Sequence, residues 1–291
     1  MDAYAMKLVG SGAAEAIPNP MCRCTICENA RKQGGKEIRS RSCFRVSKGV
    51  QIDFGPDQFY QSAVLGNDLT TITDLLITHT HSDHLALAEL ELRAMAVSGA
   101  ETPVNLYASR AGCDWIQRVL SASGASGLLD QRLYRLQSLE YYRSISVAGL
   151  TVTPLKGNHK GNGEGELSVN YLIALESGKT LFYAVDTGYF FEETFEFLRN
   201  VQLDVLVVEG TFGDSPRFRD SKTDGHMGCA GVLAVTERLL KQGTLRADSR
   251  VVVTHINHKH TLTHARMQAF YDAQRVGVPI AVGYDGMEVL L

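Results

Sequence analysis

Nothing in these 291 residues approaches the ~20-residue apolar run that spans a bilayer. The stretch from Met1 to Gly10 has no basic segment followed by a long apolar one, so no secretory signal is expected. The chain therefore reads as cytoplasmic, with no membrane partner. Net charge is nearly absent too. Lys plus Arg is 29 against 32 Asp plus Glu, a formal balance of -3. That offers no bulk attraction to polyphosphate, so nucleic acid is not the expected partner. There is no repeat, low-complexity tract or long linker, and no Gly-Lys-Thr or Gly-Lys-Ser pair to suggest a nucleotide P-loop. With 44% hydrophobic and 21% charged residues, bulk disorder and a fibrous repeat are excluded. No composition break divides the chain, so residues 1–291 are read as a single domain with an N-terminal zinc-binding loop.

What is present is alternation. Short β-rich runs include Lys7-Leu8-Val9, Val50-Gln51-Ile52-Asp53, Leu75-Leu76-Ile77-Thr78 and Val104 to Tyr107. Later ones run from Thr151 to Leu155, Val169 to Ala174, Thr180 to Val185, Leu203 to Val208 and Arg250 to Thr254. Helical stretches are expected from Leu85 to Val97, Arg110 to Leu120, Phe190 to Arg199 and Ala230 to Leu240. Ser121 to Tyr142 carries glycines and serines and reads as loop. Trp115 and the apolar positions of Leu85 to Val97 read as core. Strands alternating with helices imply an α/β or mixed layered domain.

Six cysteines are present, three of them within six residues: Cys22, Cys24 and Cys27. Such close thiols cannot easily pair with one another, and in a reducing compartment the spacing reads as metal ligation. Cys43, Cys113 and Cys229 are scattered and read as small buried apolar residues.

The strongest chemical signal is Thr78-His79-Thr80-His81-Ser82-Asp83-His84, between an apolar strand and a helix. Three imidazoles and a carboxylate so close together suit a divalent metal better than a core. The bland alternative is a polar loop with accidental histidines. Further candidates sit where apolar strands stop: His159, Asp186 and His255. A lone histidine after a strand is usually a satisfied surface or core residue. The set of three is what points to a site at one rim of a sheet.

These ordered motifs resemble the metallo-β-lactamase superfamily: Asp53 at a strand end, His79-x-His81-x-Asp83-His84, then His159, Asp186 and His255. The resemblance implies an α/β (α+β) fold, a four-layer αββα sandwich with metals at one edge of its two sheets. It implies that His79, His81 and His159 hold one divalent ion and that Asp83, His84 and His255 hold another. Asp186 would bridge them, Asp83 would also count among the catalytic groups, and Asp53 would hydrogen-bond the metal loop into place. The cysteine cluster is similar to that of the PhnP-type phosphodiesterases, which hydrolyse a phosphoribosyl 1,2-cyclic phosphate. In that group a histidine three residues after the last active-site histidine completes a structural zinc site, and here that residue is His258. Gly10-Ser11-Gly12-Ala13-Ala14 and Val282-Gly283-Tyr284-Asp285-Gly286-Met287-Glu288 also look similar to the group.

His226, in Asp224-Gly225-His226-Met227, matches a histidine that these phosphodiesterases place over the substrate. It would protonate the leaving oxygen or bind phosphate. Glu209 could orient it, or simply cap a loop. The stretch from Gly157 to Val169, with its glycine-rich run Lys160 to Glu166, departs from the PhnP pattern and, because it follows the ligand His159, is expected to border the pocket. His260 and His264 match no motif and read as surface residues. Arg31, Lys32, Lys36, Arg39, Arg41 and Arg45 against the single acid Glu37 read as a solvated face, with phosphate recognition as the alternative.

The expected function is thus a binuclear metallohydrolase of a small, cyclic phosphodiester, acting through a metal-bridging hydroxide. The expected cofactors are two active-site ions (zinc, manganese or iron) and one structural zinc. A tRNA 3′-end endonuclease shares the metal motifs, and a lactonase shares the metal centre. Relatives in pyrroloquinoline quinone biosynthesis carry a degraded histidine motif, which is complete here. A binding protein without turnover is disfavoured by the full ligand set. A homodimer is left open.

Overall fold

The computed structural model describes residues 6–129, 133–216, 220–259 and 261–290. Among these, two seven-stranded sheets carry the chain. The first contains β1 (Met6–Gly10), β2 (Cys43–Arg45), β3 (Val50–Ile52), β4 (Asp74–Leu76), β5 (Val104–Ser109) and β6 (Tyr134–Leu139). The second contains β7 (Ile145–Val147), β8 (Leu150–Lys160), β9 (Leu167–Ala174), β10 (Thr180–Ala184), β11 (Val205–Glu209), β12 (Arg250–Thr254) and β13 (Ile280–Val282). The last strand, β14 (Met287–Val289), returns to the first sheet beside β1. The strand orders are β14-β1-β2-β3-β4-β5-β6 and β13-β12-β11-β10-β9-β8-β7.

The period of two along each strand builds the layers. In β11, Val205 and Val207 face the other sheet while Leu206 and Val208 face helices. In β4, Leu76 joins the inter-sheet core, whereas its neighbour Leu75 points outward. Phe44, Ile52, Tyr171, Ile173 and Tyr183 fill the space between the sheets. The outer face of the second sheet is covered by α5 (Glu192–Leu198), α6 (Cys229–Lys241) and α7 (His264–Asp272). Against the first sheet lies α4 (Arg110–Ala122), burying Cys113, Ile116 and Leu120, with Trp115 packed partly over them. The remaining helices are α1 (Thr25–Gln33), α2 (Gln58–Ala63) and α3 (Glu91–Ala94). Helix, sheet, sheet and helix stack in the expected four layers, and Cys43, Cys113 and Cys229 are buried as expected.

Four expectations need correction. Leu85 to Val97 is not one core helix but a 3-10 turn, Leu87–Leu90, followed by the single turn of α3. Leu85 and Leu90 are buried there, whereas Met95 and Val97 stand in solvent, so helix propensity misjudged both length and burial. Ser121 to Tyr142 holds β6, whose alternating burial was masked by the preceding glycines and serines. The basic stretch is not a solvated face throughout: Arg39 and Arg45 are only 3% and 1% exposed. Arg45 donates to the carbonyls of Ser47, Lys48 and Asp68 and to Thr71 Oγ1. Finally, His264 is half-buried, its Nδ1 lying 3.1 Å from Arg39 Nη2, while His260 lies outside the described residues.

Among the described residues, no helix is long and apolar enough to cross a membrane.

Candidate metal centre

The adjacent ends of β3, β4, β8, β10, β11 and β12 meet at one rim of the sandwich. Asp53, Asp186 and His255 lie just beyond β3, β10 and β12, with φ values of 65°, 51° and 57°. A left-handed residue turns the chain sharply, so each side chain swings back over the strand ends rather than out to solvent. Such backbone costs of order 1–3 kcal/mol per residue and concentrates at functional sites.

Three donor groups overlap there: one comprises Asp186, Glu209, His226 and His255, and the two without His226 are His79, His81, His159 and Asp186, and Asp83, His84, Asp186 and His255. In each, the ligating atoms lie within 4.8 Å of one another. Asp186 belongs to all three. Its Oδ2 is 3.2 Å from His79 Nε2 and 2.8 Å from His84 Nε2, and its Oδ1 is 3.1 Å from His255 Nε2. His159 does not follow its strand but lies inside the long β8.

The outer ring nitrogens of His79, His84, His159 and His255 find partners that fix their tautomers. His84 Nδ1 is 2.6 Å from Asp53 Oδ2, and His159 Nδ1 is 3.0 Å from the Gly225 carbonyl. His79 Nδ1 is 3.1 Å from Thr78 Oγ1, which donates to Asp53. His255 Nδ1 is 2.8 Å from Thr211 Oγ1, which donates to Glu209 Oε2. With those protons directed outward, the inner nitrogens of His79, His84, His159 and His255 carry lone pairs that point into the two groups. His79 Nε2 is 2.9 Å and His159 Nε2 3.2 Å from His81 Nδ1, and His84 Nε2 is 3.4 Å from His255 Nε2. Facing lone pairs repel unless a cation lies among them, so this donor set fits divalent metal.

Charge argues the same way. Burial disfavours the Asp186 carboxylate, but His255, His84 and His226 hold its pKa well below the usual range. Burial works against a charged His84, yet Asp83, Asp186 and Asp53 drive its pKa well above the imidazole norm. Three carboxylates around one buried imidazole call for positive charge at this point. Asp53 also accepts the Thr78 backbone N–H at 2.8 Å, tying the metal loop to β3.

His226 lies beside both groups. Its Nδ1 is 3.0 Å from Glu209 Oε2 and 3.3 Å from Asp186 Oδ1. Burial lowers its pKa, but Glu209 and Asp186 outweigh that and raise it to about 9. Glu209, the last residue of β11, is fully buried and also accepts from Thr187 N at 2.5 Å. It therefore supports His226 directly and His255 through Thr211. Thr78 and Thr211, the two hydroxyl relays, had no sequence signal beyond their nearness to the motifs.

The groups open into a cleft of about 450 Å³ lined by His81, His159, Asp186, Phe212, His226 and Lys259, among others. Lys259 Nζ pairs with Glu15 at 2.6 Å on this rim. The expectation for the glycine-rich run after His159 is corrected here, because none of Lys160 to Glu166 lines this cleft. Glu166 is 2% exposed and turns inward onto Thr80, behind the metal loop.

The structure also gathers Cys22, Cys24, Cys27 and His258, with Cys24 Sγ 3.5 Å from His258 Nδ1. Burial raises the Cys24 pKa, but His258 and neighbouring donors outweigh it and lower it to about 6. The backbone N–H groups of Asn19 and Cys24 donate to Cys27 Sγ and Cys22 Sγ at 3.3 and 3.4 Å. Donors of this kind suit thiolates, and four such ligands make a closed zinc set. Close by, Ala13 N donates to Ile256 O and Ile256 N to Ser11 O, so the N-terminal loop is bound to the segment carrying His255 and His258.

Comparison with known proteins agrees with the fold. A family model for the beta-lactamase superfamily domain matches residues 50–256. Among curated proteins, the chain is 27% identical over 202 residues to endoribonuclease ysh1 of Schizosaccharomyces pombe. That match takes in 62% of this chain and 25% of the relative, so it spans about a quarter of the relative's length. A diphosphatase of the PhnP family superposes with a TM-score of 0.73 at 20% identity, over 99% of this chain and 97% of that one. Zinc-bound PqqB from Methylobacterium extorquens gives 0.73 at 21%, over 98% and 99% of the two chains. The short form of human tRNase Z gives 0.61 at 16%, over 98% of each. At these identities the three structures speak to the fold.

Proposed function

As a member of the beta-lactamase superfamily this chain is a metal-dependent hydrolase, and from that premise we propose that it cleaves a small phosphodiester, a cyclic phosphoribosyl-type ester, with two divalent ions. The observation that carries the reading is Asp186, one carboxylate within 3.2 Å of a histidine in each donor group and 3.3 Å from His226. His79, His81 and His159 would hold one ion, Asp83, His84 and His255 the other, with Asp186 between them. When bound, zinc, manganese or iron there supplies positive charge to phosphoryl oxygens and acidifies water.

The chain's own residues do the rest. Glu209 and Asp186 occupy Nδ1 of His226, which leaves Nε2 for the cleft. Glu209 and Asp186 raise its pKa, to about 9 before metal binds, and so favour an imidazolium that can deliver a proton to the departing alkoxide. Phe212, its ring 5.4 Å from that of His226, keeps the imidazole flanked on one side. A cleft of about 450 Å³ suits a small molecule. The cysteine cluster and His258 would take one structural zinc, in keeping with reduced thiols and a cytoplasmic protein.

A second reading, cleavage of an RNA end, is favoured by the endoribonuclease relative. Both readings are tested by turnover of a chromogenic bis-aryl phosphodiester, its monoester, a ribose cyclic phosphate and a short RNA. Added zinc, manganese and iron are compared, with His226→Ala and Asp186→Ala as controls. The first reading expects metal-dependent diester and cyclic-ester cleavage that falls in both variants. Cleavage of RNA alone supports the second, and no diester turnover by folded, metallated protein overturns both.

A further inference from the structure

We infer that Glu166 is a positioning residue for one half of the metal centre, acting through the Thr80 peptide between the ligands His79 and His81. The inference rests on the two-ion reading above and adds a residue outside its ligand set.

The turn of the hairpin between β8 and β9 begins two residues after His159. It is glycine-rich because it must close around a buried carboxylate. A Cβ on Gly161 would lie 2.2 Å from Glu166 Oε2, and one on Gly163 would lie 2.6 Å from the Ala111 carbonyl oxygen. Only glycine fits at such approaches. Thus folded, the hairpin aims the two carboxylate oxygens at three donors, two of them on Thr80. Thr80 N donates to Oε1 at 3.0 Å, while Thr80 Oγ1 and Gly163 N donate to Oε2. Asn162 completes the grip, its N donating to Thr80 Oγ1 at 2.9 Å and its Nδ2 to Thr80 O at 2.5 Å.

Every polar group of Thr80 is thereby held by one short segment. Thr80 sits between His79 and His81, and the same hairpin starts beside His159. The peptide between His79 and His81 thus leans on the hairpin that starts beside His159, whereas the rings of His84 and His255 are held by Asp53 and, through Thr211, by Glu209. The carboxylate is needed as such. Both oxygens must accept, so a glutamine would leave one N–H facing an amide NH2.

The test is metal binding by the full chain, with its cysteine cluster zinc-loaded. Cobalt would be titrated calorimetrically and followed by its visible bands. Wild type would be compared with Glu166→Gln, Thr80→Val and Thr80→Ser. The expected result is that Glu166→Gln and Thr80→Val weaken one cobalt ion by roughly 10–100-fold, with altered bands, and leave the other unchanged. Thr80→Ser, which keeps the N–H and the hydroxyl, restores the first ion. Equal weakening of both ions, or of neither, overturns the inference. If Glu166→Gln fails to fold, Thr80→Val carries the same test. A wild type that takes only one ion in the histidine cluster overturns the two-ion reading instead. Glu166 is then judged on that ion, and unchanged affinity in Glu166→Gln overturns its role.

Discussion

The two halves of the metal centre share Asp186 but are built differently. In the half containing His84, an imidazole donates straight to a fully buried carboxylate at 2.6 Å, and His255 reaches a second carboxylate through one hydroxyl. In the half containing His159, that ring donates to a neutral carbonyl at 3.0 Å, and the loop bearing His79 and His81 is held by its backbone. An imidazole whose outer proton rests on a carboxylate is the more basic ligand. The first half also adds Asp83, whose carboxyl is held below its usual pKa because His84 and His255 outweigh its burial. His79 in the other half also reaches Asp53, but only through Thr78 Oγ1, so direct carboxylate contact and charge weigh toward one half and dependence on loop geometry toward the other. The expected consequence is sequential filling, with the Asp83–His84–His255 half taking metal first.

The severest way to break this comparison is to remove what the halves share. Asp186→Ala should lower kcat by roughly a thousandfold or more and reduce metal content in both halves, as elemental analysis would show. Loss of one ion alone would mean that Asp186 belongs to one half. Next is His226, which belongs to neither. His226→Ala should cost roughly 10²–10⁴ in kcat while both ions stay bound. Its acid form is lost as pH rises, and bound cations lower a pKa that stands at about 9 without them. The rate should therefore decline on an alkaline limb at or below about 9, and that limb should vanish in the variant. A smaller effect sharpens the contrast. Asp53→Asn leaves one accepting oxygen where two are used, and with that oxygen kept by Thr78 the NH2 faces His84 Nδ1, so the His84 ion should weaken by roughly 10–100-fold and the other less. Equal weakening would show that the Thr78 relay to His79 counts as much as the direct bond. The smallest effect on the centre should come from Cys24→Ala, which removes a distant clamp. Zinc content should fall by one ion per chain and Tm by roughly 5 °C or more, with both active-site ions retained.

The parts of this arrangement that the sequence displayed were those whose chemistry is unusual wherever it occurs. Histidines and aspartates at the ends of apolar strands stand out, and so does Glu209 ahead of His226. The layers followed from apolar runs bounded by turns. What stayed hidden depends on partners without a sequence signature. Arg45 is bound chiefly by backbone carbonyls, so it looked like any surface arginine. Glu166 lies in a glycine-rich run of the kind that usually marks a solvent-facing loop, and only the fold shows those glycines closing on a carboxylate. Thr78 and Thr211 are threonines among many. The β6 strand and the exposed turn of α3 were misjudged because composition does not report which face meets a sheet.

The left-handed backbone at Asp53, Asp186 and His255 has an evolutionary consequence. Asparagine and glycine tolerate that conformation, whereas glutamate, the nearest chemical substitute for aspartate, does not adopt it readily. The neighbours reachable by mutation without disturbing the backbone are therefore those that discard the charge. A lineage drifting at positions 53 or 186 would pass most easily through asparagine, into folded descendants that bind metal poorly. Folded relatives that bind metal poorly are the expected by-product of such a site, and its carboxylates would be kept by selection on metal binding more than by selection on folding.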